Sequence, residues 1–342
     1  MACSTLLRAS TMLVAAFIVA PFWGGAHAQT PIKFALDWKF EGPAAPYFVA
    51  IDKGYYKAEG LDVSIDQGNG SVEGINRVAS GVYLLGFSDI NSLIKFRDNK
   101  ANAPIKAIMM VYDTPAFAII ALKKSGITGP KSLEGKVLGA PAPDGAYAQW
   151  PIFVRQNGID ASKVKIENVG FPVREPMLAQ GKVDAITGFS FSSVMNLKAN
   201  GVAGADIVTL MMRNYGVDLY GNAIMVNPDF AKANPKAVAG FVRATIKGVQ
   251  DTIKDPAMAI DSLMRRNEIA NKAVELERLQ MALAQNFVTP EVLKTGLGNV
   301  DAARLTRSID QIGLTFNYTA KPAAADIFTA EFLPPAAQRQ AK

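Results

Sequence analysis

Short runs of aliphatic and β-branched residues alternate with helical patterns along most of this chain, and this alternation is the feature that most constrains its fold. Strands that are separated by helices run side by side in one direction, because each helix carries the chain back to the edge where the previous strand began. The pattern predicts an α/β protein with two lobes, each a mostly parallel sheet flanked by helices.

The predicted strands fall into two groups. The chain returns to strand at Ile224–Val226 after the second group and then finishes in helices. The first lobe is predicted to contain strands at Ile32–Leu36, Val63–Ile65, Leu84–Phe87, Ile105–Val111 and Ala118–Leu122, and the second lobe at Val137–Ala140, Val164–Val169, Val183–Thr187 and Ile207–Met211.

The amino terminus has the pattern of an export signal. Arg8 forms a short positive region, residues 12–21 are almost wholly apolar, and Ala26-His27-Ala28 is a small-residue cleavage site before Gln29. The apolar run is shorter than the roughly 20 residues that a membrane-spanning helix needs. We therefore predict a signal peptide over residues 1–28, cleavage after Ala28, and a periplasmic protein.

Cleavage would remove two chemically important residues. The only cysteine, Cys3, and the only histidine, His27, both lie in the predicted leader. The mature chain then has no thiolate or imidazole for a zinc site or a nucleophilic pair, and it cannot form a disulfide. We expect no metal site and no cofactor.

The charge of the chain does not indicate nucleic-acid binding. Loss of Arg8 with the leader leaves 35 of the 36 basic residues against 30 acidic ones. The longest basic runs are the pairs Lys123-Lys124 and Arg265-Arg266, and a nucleic-acid surface normally concentrates its basic residues. This distribution is typical of a solvated surface.

Three segments carry a family resemblance. Residues 47–63 combine a helix, with Phe48, Ile51 and Tyr55 at helical spacing, a Gly60 suited to a left-handed cap, and the start of a strand. Residues 125–140 and 177–185 follow, the second with the order Leu178-x-x-Gly181-x-Val183-Asp184-Ala185.

In their order and spacing these segments resemble the NMT1/THI5-like, nitrate/sulfonate/taurine branch of ABC-transporter solute-binding proteins. The resemblance implies a type II periplasmic-binding-protein fold, with one lobe inserted into the other and a two-segment hinge. It places the discontinuous first lobe at residues 29–118 and 222–342 and the inserted lobe at residues 119–221. It puts the crossings near residues 113–122 and 219–226.

The resemblance also implies a function. Such a protein captures a small molecule in the cleft between its lobes and delivers it to a membrane permease; we expect a monomer that is not an enzyme. Thiamine pyrimidine synthases share the fold, but they use a Cys-rich motif and active-site histidines with iron and pyridoxal phosphate. The mature chain has neither, so an enzyme is a remote alternative.

Ligands of doubly wound sheets bind beyond the carboxyl ends of the strands, so the loops that follow strands supply the candidate site residues. The residues selected for ligand binding are Trp38, Glu41, Asn69, Ser71, Ser88, Asp89, Asn91, Asp144, Tyr147, Arg174, Phe189 and Ser190.

Several candidates have a second interpretation. Trp38, which resembles the ligand-holding Trp of thiamine-pyrimidine members, could instead pack beneath its loop. Ser71 and Asp89 could cap helices rather than contact a ligand. One of Phe189 and Phe191 is predicted to face the core, because neighbouring residues of a strand point to opposite faces.

The charged pair Arg174-Glu175 has two interpretations as well. Arg174 could bind a phosphate or carboxylate, or the pair could form an exposed salt bridge.

The same loops bear on the identity of the ligand. Family members have a Ser/Thr-rich, anion-binding turn where this chain has Asp144-Gly145-Ala146-Tyr147, and this departure favours a ligand with a donor or an aromatic face. A flat, nitrogen-containing heterocycle such as a thiamine pyrimidine precursor is therefore the predicted ligand. Organosulfonates such as taurine, or nitrate, are the alternative.

Overall fold

The computed structural model describes residue 1 and residues 28–341, so most of the predicted signal peptide lies outside the described residues. Within the described part, no helix is long and apolar enough to cross a membrane. Ten strands in these described residues form two five-stranded sheets. The first sheet contains β1 (Thr30–Ala35), β2 (Leu61–Asp66), β3 (Leu85–Asp89), β4 (Lys106–Met110) and β10 (Asn222–Val226), and the second contains β5 (Phe117–Leu122), β6 (Val137–Ala140), β7 (Lys165–Asn168), β8 (Ala185–Phe189) and β9 (Ile207–Met211).

Each sheet is mixed, with four strands in one direction and one reversed. The first sheet has the order β2-β1-β3-β10-β4, in which β10 is antiparallel to both of its neighbours. The second sheet has the order β7-β6-β8-β5-β9, in which β5 is the reversed strand. The reversed strands are those by which the chain enters a sheet from the other one. Such a strand starts at the edge where the other strands end.

The two connections between the sheets are short. The first crossing comprises residues 111–116, between β4 and β5, and the second crossing comprises residues 212–221, between β9 and β10. Both predicted crossings extended too far, because residues 117–122 and 222–226 are strand. The strand predicted at Ala118–Leu122 was also assigned to the wrong lobe, since β5 pairs with β8 and β9 of the second sheet.

Helices cover both sheets, and the carboxyl-terminal ones return to the first. Helix α9 (Pro235–Lys254) packs along α1 (Ala45–Asp52), where Gly248 lets the two backbones approach closely, and Tyr56 stacks on Phe241 with ring centroids 5.0 Å apart. The helices are α1 (Ala45–Asp52), α2 (Tyr55–Ala58), α3 (Ser71–Ala79), α4 (Ile90–Arg97), α5 (Trp150–Gln156), α6 (Arg174–Ala179), α7 (Ser190–Ala199), α8 (Pro228–Ala233), α9 (Pro235–Lys254), α10 (Pro256–Met264), α11 (Lys272–Ala282, continued by a π-helical turn at Leu283–Phe287), α12 (Pro290–Thr295), α13 (Ala302–Gly313) and α14 (Ala324–Ile327).

Candidate functional site

A pocket lies between the two sheets, beyond the carboxyl ends of their parallel strands. It encloses about 640 Å³, including space open to solvent. The first sheet and its loops contribute Leu36, Asp37, Trp38, Lys39, Glu41, Pro43, Ala44, Tyr47, Gly70, Ser71, Phe87 and Tyr112, and the second contributes Asp144, Gly145, Phe171, Arg174, Phe189, Phe191 and Ser192.

Asp37 is a buried acid in the loop that follows β1. Its Oδ2 accepts hydrogen bonds from Ser71 Oγ at 2.7 Å and from Asn222 Nδ2 at 2.6 Å. Burial, with a further contribution from the charge of Asp89, raises the pKa of Asp37 to about 7. Asp37 can therefore present either a carboxylate or a carboxylic acid to a ligand near neutral pH.

Two polar atoms of the pocket wall lack a hydrogen-bond partner among the described residues. They are Tyr47 Oη and Trp38 Nε1, and both atoms are buried. The Tyr47 side chain is only 1% exposed, whereas Trp38 is half-buried. A buried donor that is left unpaired destabilises the protein, so a ligand or a water molecule with an acceptor is expected at each.

Aromatic rings connect the two sides of the pocket. Trp38, from the first sheet, meets Phe171, from the second, edge to face with ring centroids 4.6 Å apart. Tyr112 and Phe191 make a similar contact at 5.8 Å. A planar ligand would therefore find aromatic surfaces from both sides.

Arg174 forms a buried ion pair, not the exposed salt bridge that was one alternative for it. Its Nη2 lies 2.7 Å from Glu175 Oε1 and its Nη1 lies 3.8 Å from Asp144 Oδ2. Burial opposes the charge of the guanidinium, but the carboxylates of Glu175 and Asp144 outweigh this effect and raise the pKa of Arg174. Arg174 therefore brings a positive charge that these carboxylates already offset.

A second buried ionic cluster joins α7 of the second sheet to α11 and the loop after β1. Glu41 Oε2 accepts from Ser192 Oγ at 2.7 Å and lies 3.0 Å from Arg278 Nη1. Arg278 also bonds Glu275, whose Oε2 accepts from the backbone amide of Gly42 at 2.6 Å. The position of α7 is thus tied to the pocket loop that contains Glu41.

The structure places half of the predicted site residues in the pocket wall. In the part of the chain that it describes, the other half lie outside the wall. Those in the wall are Trp38, Glu41, Ser71, Asp144, Arg174 and Phe189, and those outside it are Asn69, Ser88, Asp89, Asn91, Tyr147 and Ser190.

Asp89 and Asn91 have structural roles instead. Both carboxylate oxygens of Asp89 cap α4, accepting from the backbone amides of Asn91 and Ser92. Asn91 donates to Asp89 and to the carbonyl of Tyr220, and is fully buried. Ser88 is also buried and precedes the cap.

The remaining predicted site residues that lie outside the pocket wall make local contacts instead. Asn69 is exposed, and its backbone amide donates to Glu73 Oε2. Tyr147 is half-buried in a short 3-10 turn, and Ser190 Oγ donates to Gln285 Oε1 at 3.2 Å. Tyr147 therefore does not line this pocket, unlike Trp38 and Phe189.

Two local interpretations also need correction. Ser71 does not cap α3, because Gly70 holds that position, and Ser71 instead donates to Asp37. Phe189 and Phe191 both line the pocket. The alternation argument failed because β8 ends at Phe189 and a helix begins at the next residue.

Sequence reasoning missed several lining residues. Asp37 could have been found, because it directly precedes Trp38 in the same loop. Tyr47 lies within a helix, Tyr112 in a crossing and Phe171 in a short 3-10 turn, and no local pattern distinguishes them from core aromatics.

Curated proteins with similar sequences include binding proteins and enzymes. The riboflavin-binding protein RibY of Chloroflexus aurantiacus is 26% identical over 300 residues, which are 85% of this chain and 82% of that protein. The formylaminopyrimidine-binding protein of Halalkalibacterium halodurans is 26% identical over 75% of this chain and 78% of its own. The 4-amino-5-hydroxymethyl-2-methylpyrimidine phosphate synthase of Aspergillus parasiticus is 26% identical over 74% of this chain and 75% of that protein.

Solved structures confirm the predicted fold. The alkanesulfonate-binding protein SsuA from Xanthomonas axonopodis pv. citri, bound to MOPS, matches with a TM-score of 0.66 at 16% identity, over 88% of this chain and 98% of that one. The NMT1/THI5-like family model matches residues 43–259, which is more than half of the chain. The protein therefore belongs to the NMT1/THI5-like family.

Proposed function

We propose that this protein is the solute-binding component of an ABC importer and that it captures a planar, nitrogen-containing heterocycle between its two sheets. One observation carries the proposal. The pocket wall combines aromatic rings with two buried donors, on Trp38 and Tyr47, that have no partner among the described residues, and it places them beside the buried carboxyl group of Asp37.

The charges of the pocket favour a neutral or cationic ligand. Three acidic side chains, Asp37, Glu41 and Asp144, line the wall, against two basic ones, Lys39 and Arg174. The guanidinium of Arg174 is already paired with Glu175. A sulfonate or nitrate ion would lie close to these acidic groups, which would oppose its binding. A heterocycle is therefore favoured over the sulfonate and nitrate alternatives.

A heterocycle also has the required hydrogen-bonding groups. Its ring nitrogens or carbonyl oxygens accept from Trp38 Nε1 and Tyr47 Oη, and a ring or amino N–H donates to Asp37. The names of two relatives specify riboflavin and formylaminopyrimidine, and both compounds have this chemistry. The thiamine-pyrimidine type remains the favoured class within this proposal.

The proposal includes two lobes that close on the ligand. We assign residues 29–118 and 222–342 to one lobe and residues 119–221 to the other; the strands divide between the sheets in nearly the same way, except that β5 of the second sheet already begins at Phe117. The protein is exported to the periplasm after cleavage at Ala28, works as a monomer and delivers its ligand to a membrane permease.

We further propose that the chain is not an enzyme. The alternative is an enzyme, because one relative is named as a pyrimidine phosphate synthase. From residue 28 onward, however, the sequence contains neither the cysteines nor the histidines that the resemblance assigns to such synthases.

A thermal-shift comparison tests the ligand class. The melting temperature of the purified protein is measured with riboflavin, 4-amino-5-hydroxymethyl-2-methylpyrimidine, MOPS and nitrate. A ligand at 100 times its Kd stabilises the folded state by about 2.7 kcal/mol, which is several degrees for a chain of this size. We expect this increase with a heterocycle; an increase with MOPS or nitrate alone would contradict the proposal.

A further inference from the structure

Helix α13 lies against both crossings, and one of its side chains contacts the two at once. Arg304 Nη1 donates to Asp113 Oδ1 at 3.1 Å and its Nη2 donates to the carbonyl of Asp113 at 2.9 Å, in the first crossing. The same Nη2 donates to the carbonyl of Leu219 at 3.0 Å, in the second crossing. The guanidinium carbon of Arg304 also lies 3.9 Å from the centroid of the Tyr220 ring.

The contact continues along one face of α13. Ser308 Oγ lies 3.4 Å from the carbonyl of Asp218, and Gln311 Nε2 donates to the carbonyl of Gly216 at 2.6 Å. Arg304, Ser308 and Gln311 follow one another at spacings of four and three residues, so they share a face of the helix. This polar face runs beside the second crossing from Leu219 back to Gly216.

The adjoining side of α13 is packed against helices of the first lobe. Leu305, Ile309 and Ile312 are almost fully buried, and α13 packs against α4 and α14. A helix that is packed against the first lobe on one face and bonded to both crossings from the adjoining face restricts the backbone rotations by which a hinge opens.

We infer that α13 is a hinge brace and that Arg304 is its principal positioning residue, setting how far the two lobes separate. Arg304 suits this role because its planar guanidinium bonds the two crossings simultaneously, which a lysine ammonium cannot do with the same geometry. Asp113 is held in turn by Thr289, whose Oγ1 donates to its Oδ2 at 2.6 Å. The inference rests on the two-lobe movement in the proposed function, but not on the identity of the ligand.

The distance between the lobes in the ligand-free protein tests the inference. Lys57, in α2 of the first lobe, and Lys182, just before β8 of the second lobe, are both exposed and are replaced by cysteine. Cys3→Ser then leaves these two as the only cysteines of the chain. Spin labels on both report the distribution of inter-lobe distances. We expect Arg304→Gln to broaden this distribution and shift it to longer distances, and Arg304→Lys to give an intermediate result.

Arg307→Gln is the matched control, because Arg307 is exposed on the same helix. It should leave the distribution unchanged. A distribution in Arg304→Gln that matches the wild type, with or without a lower melting temperature, would overturn the inference. If Arg304→Gln does not fold, Gln311→Ala decides: a broader distribution supports the brace and an unchanged one contradicts it.

Discussion

The side chain of Tyr47 lines the pocket, and its buried hydroxyl has no hydrogen-bond partner among the described residues. Burial keeps this hydroxyl protonated by raising its pKa well above the ordinary value. An unpaired buried hydroxyl costs about 1–3 kcal/mol. Tyr47 therefore makes the free protein less stable and makes the pocket selective for a ligand with an acceptor.

Tyr47→Phe should consequently have opposite effects on stability and on binding. Loss of the unpaired hydroxyl should leave the free energy of unfolding unchanged or higher, while heterocycle affinity should fall about fivefold to tenfold, as expected for one hydrogen bond. Chemical denaturation and titration calorimetry measure the two quantities.

The matched control for Tyr47→Phe is Tyr56→Phe. The hydroxyl of Tyr56 is buried but already hydrogen-bonded to Thr245 Oγ1 at 2.9 Å. This variant should lose stability and keep its affinity. The same loss of stability in both variants, with no loss of affinity in either, would exclude Tyr47 as a ligand donor.

Asp37 should make both binding and stability depend on pH. Its pKa in the folded protein is about 7, against an ordinary value of 3.8. The folded state then holds an extra proton between these values, so this group's contribution to stability falls as pH rises through 7. A ligand N–H bonds the ionised form, so affinity should rise over the same interval.

Asp37→Asn should remove the contribution of Asp37 to the pH dependence of stability and to the pH dependence of ligand affinity. In the wild type, affinity should be about tenfold weaker at pH 6 than at pH 8, since a group with a pKa near 7 is about one-tenth ionised at pH 6. Asp89 and Asp144 also have raised pKa values because of burial, but they stay in both proteins. An equal slope in wild type and variant would contradict the role of Asp37.

At the scale of secondary-structure elements, the loop after β2 and the loop after β6 come into close contact at Gly70, beside the pocket. Gly70 has a φ of +105°, and a Cβ there would lie 2.8 Å from the carbonyl oxygen of Pro143, on the opposite side of the pocket. Gly60 has a φ of +75°, but no described atom lies within 4 Å of its Cβ position.

Gly70→Ala and Gly60→Ala therefore separate backbone strain from closure. Both should lose stability, because an L residue in the left-handed conformation of Gly60 costs about 1–2 kcal/mol and one in the extended, positive-φ conformation of Gly70 costs about 1–3 kcal/mol. Only Gly70→Ala should also weaken ligand binding, since it pushes the two loops apart. Equal affinities in the two variants, measured by calorimetry, would show that this contact does not limit closure.

The elements that could be predicted from sequence are those with a strong local pattern. Every predicted strand overlaps an observed one, and Gly60 has the predicted left-handed conformation. The single helix predicted within residues 47–63 is divided by Gly54, whose φ of 69° separates α1 from α2. The assignment of β5 to the second sheet depends on long-range pairing that no local pattern encodes.

The site was less predictable, for a related reason. Loops after strands supply part of the pocket wall, and this principle selected the lining residues Trp38, Glu41 and Asp144. It could not separate side chains that face the pocket from those that cap a helix, such as Asp89. It also omitted Tyr112, because contacts across the cleft depend on how the lobes meet.

At the scale of the whole molecule, the two reversed strands explain why the pocket lies where it does. Both crossings leave the carboxyl edge of one sheet and enter the other sheet at the corresponding edge, so the loops of the two sheets face each other. Trp38 meets Phe171 at this junction. A ligand there contacts both lobes, which is the condition for closure to depend on binding.

The most direct test is to identify what the protein binds in its own cells. Native mass spectrometry of the purified protein gives the mass of any bound molecule, and the absorbance spectrum after denaturation shows whether it is a heterocycle. We predict one ultraviolet-absorbing heterocycle per chain, lost in Trp38→Ala, where a stacked ring and about 1–3 kcal/mol of binding free energy are removed. A sulfonate or nitrate bound one to one, and retained in Trp38→Ala, would contradict this account.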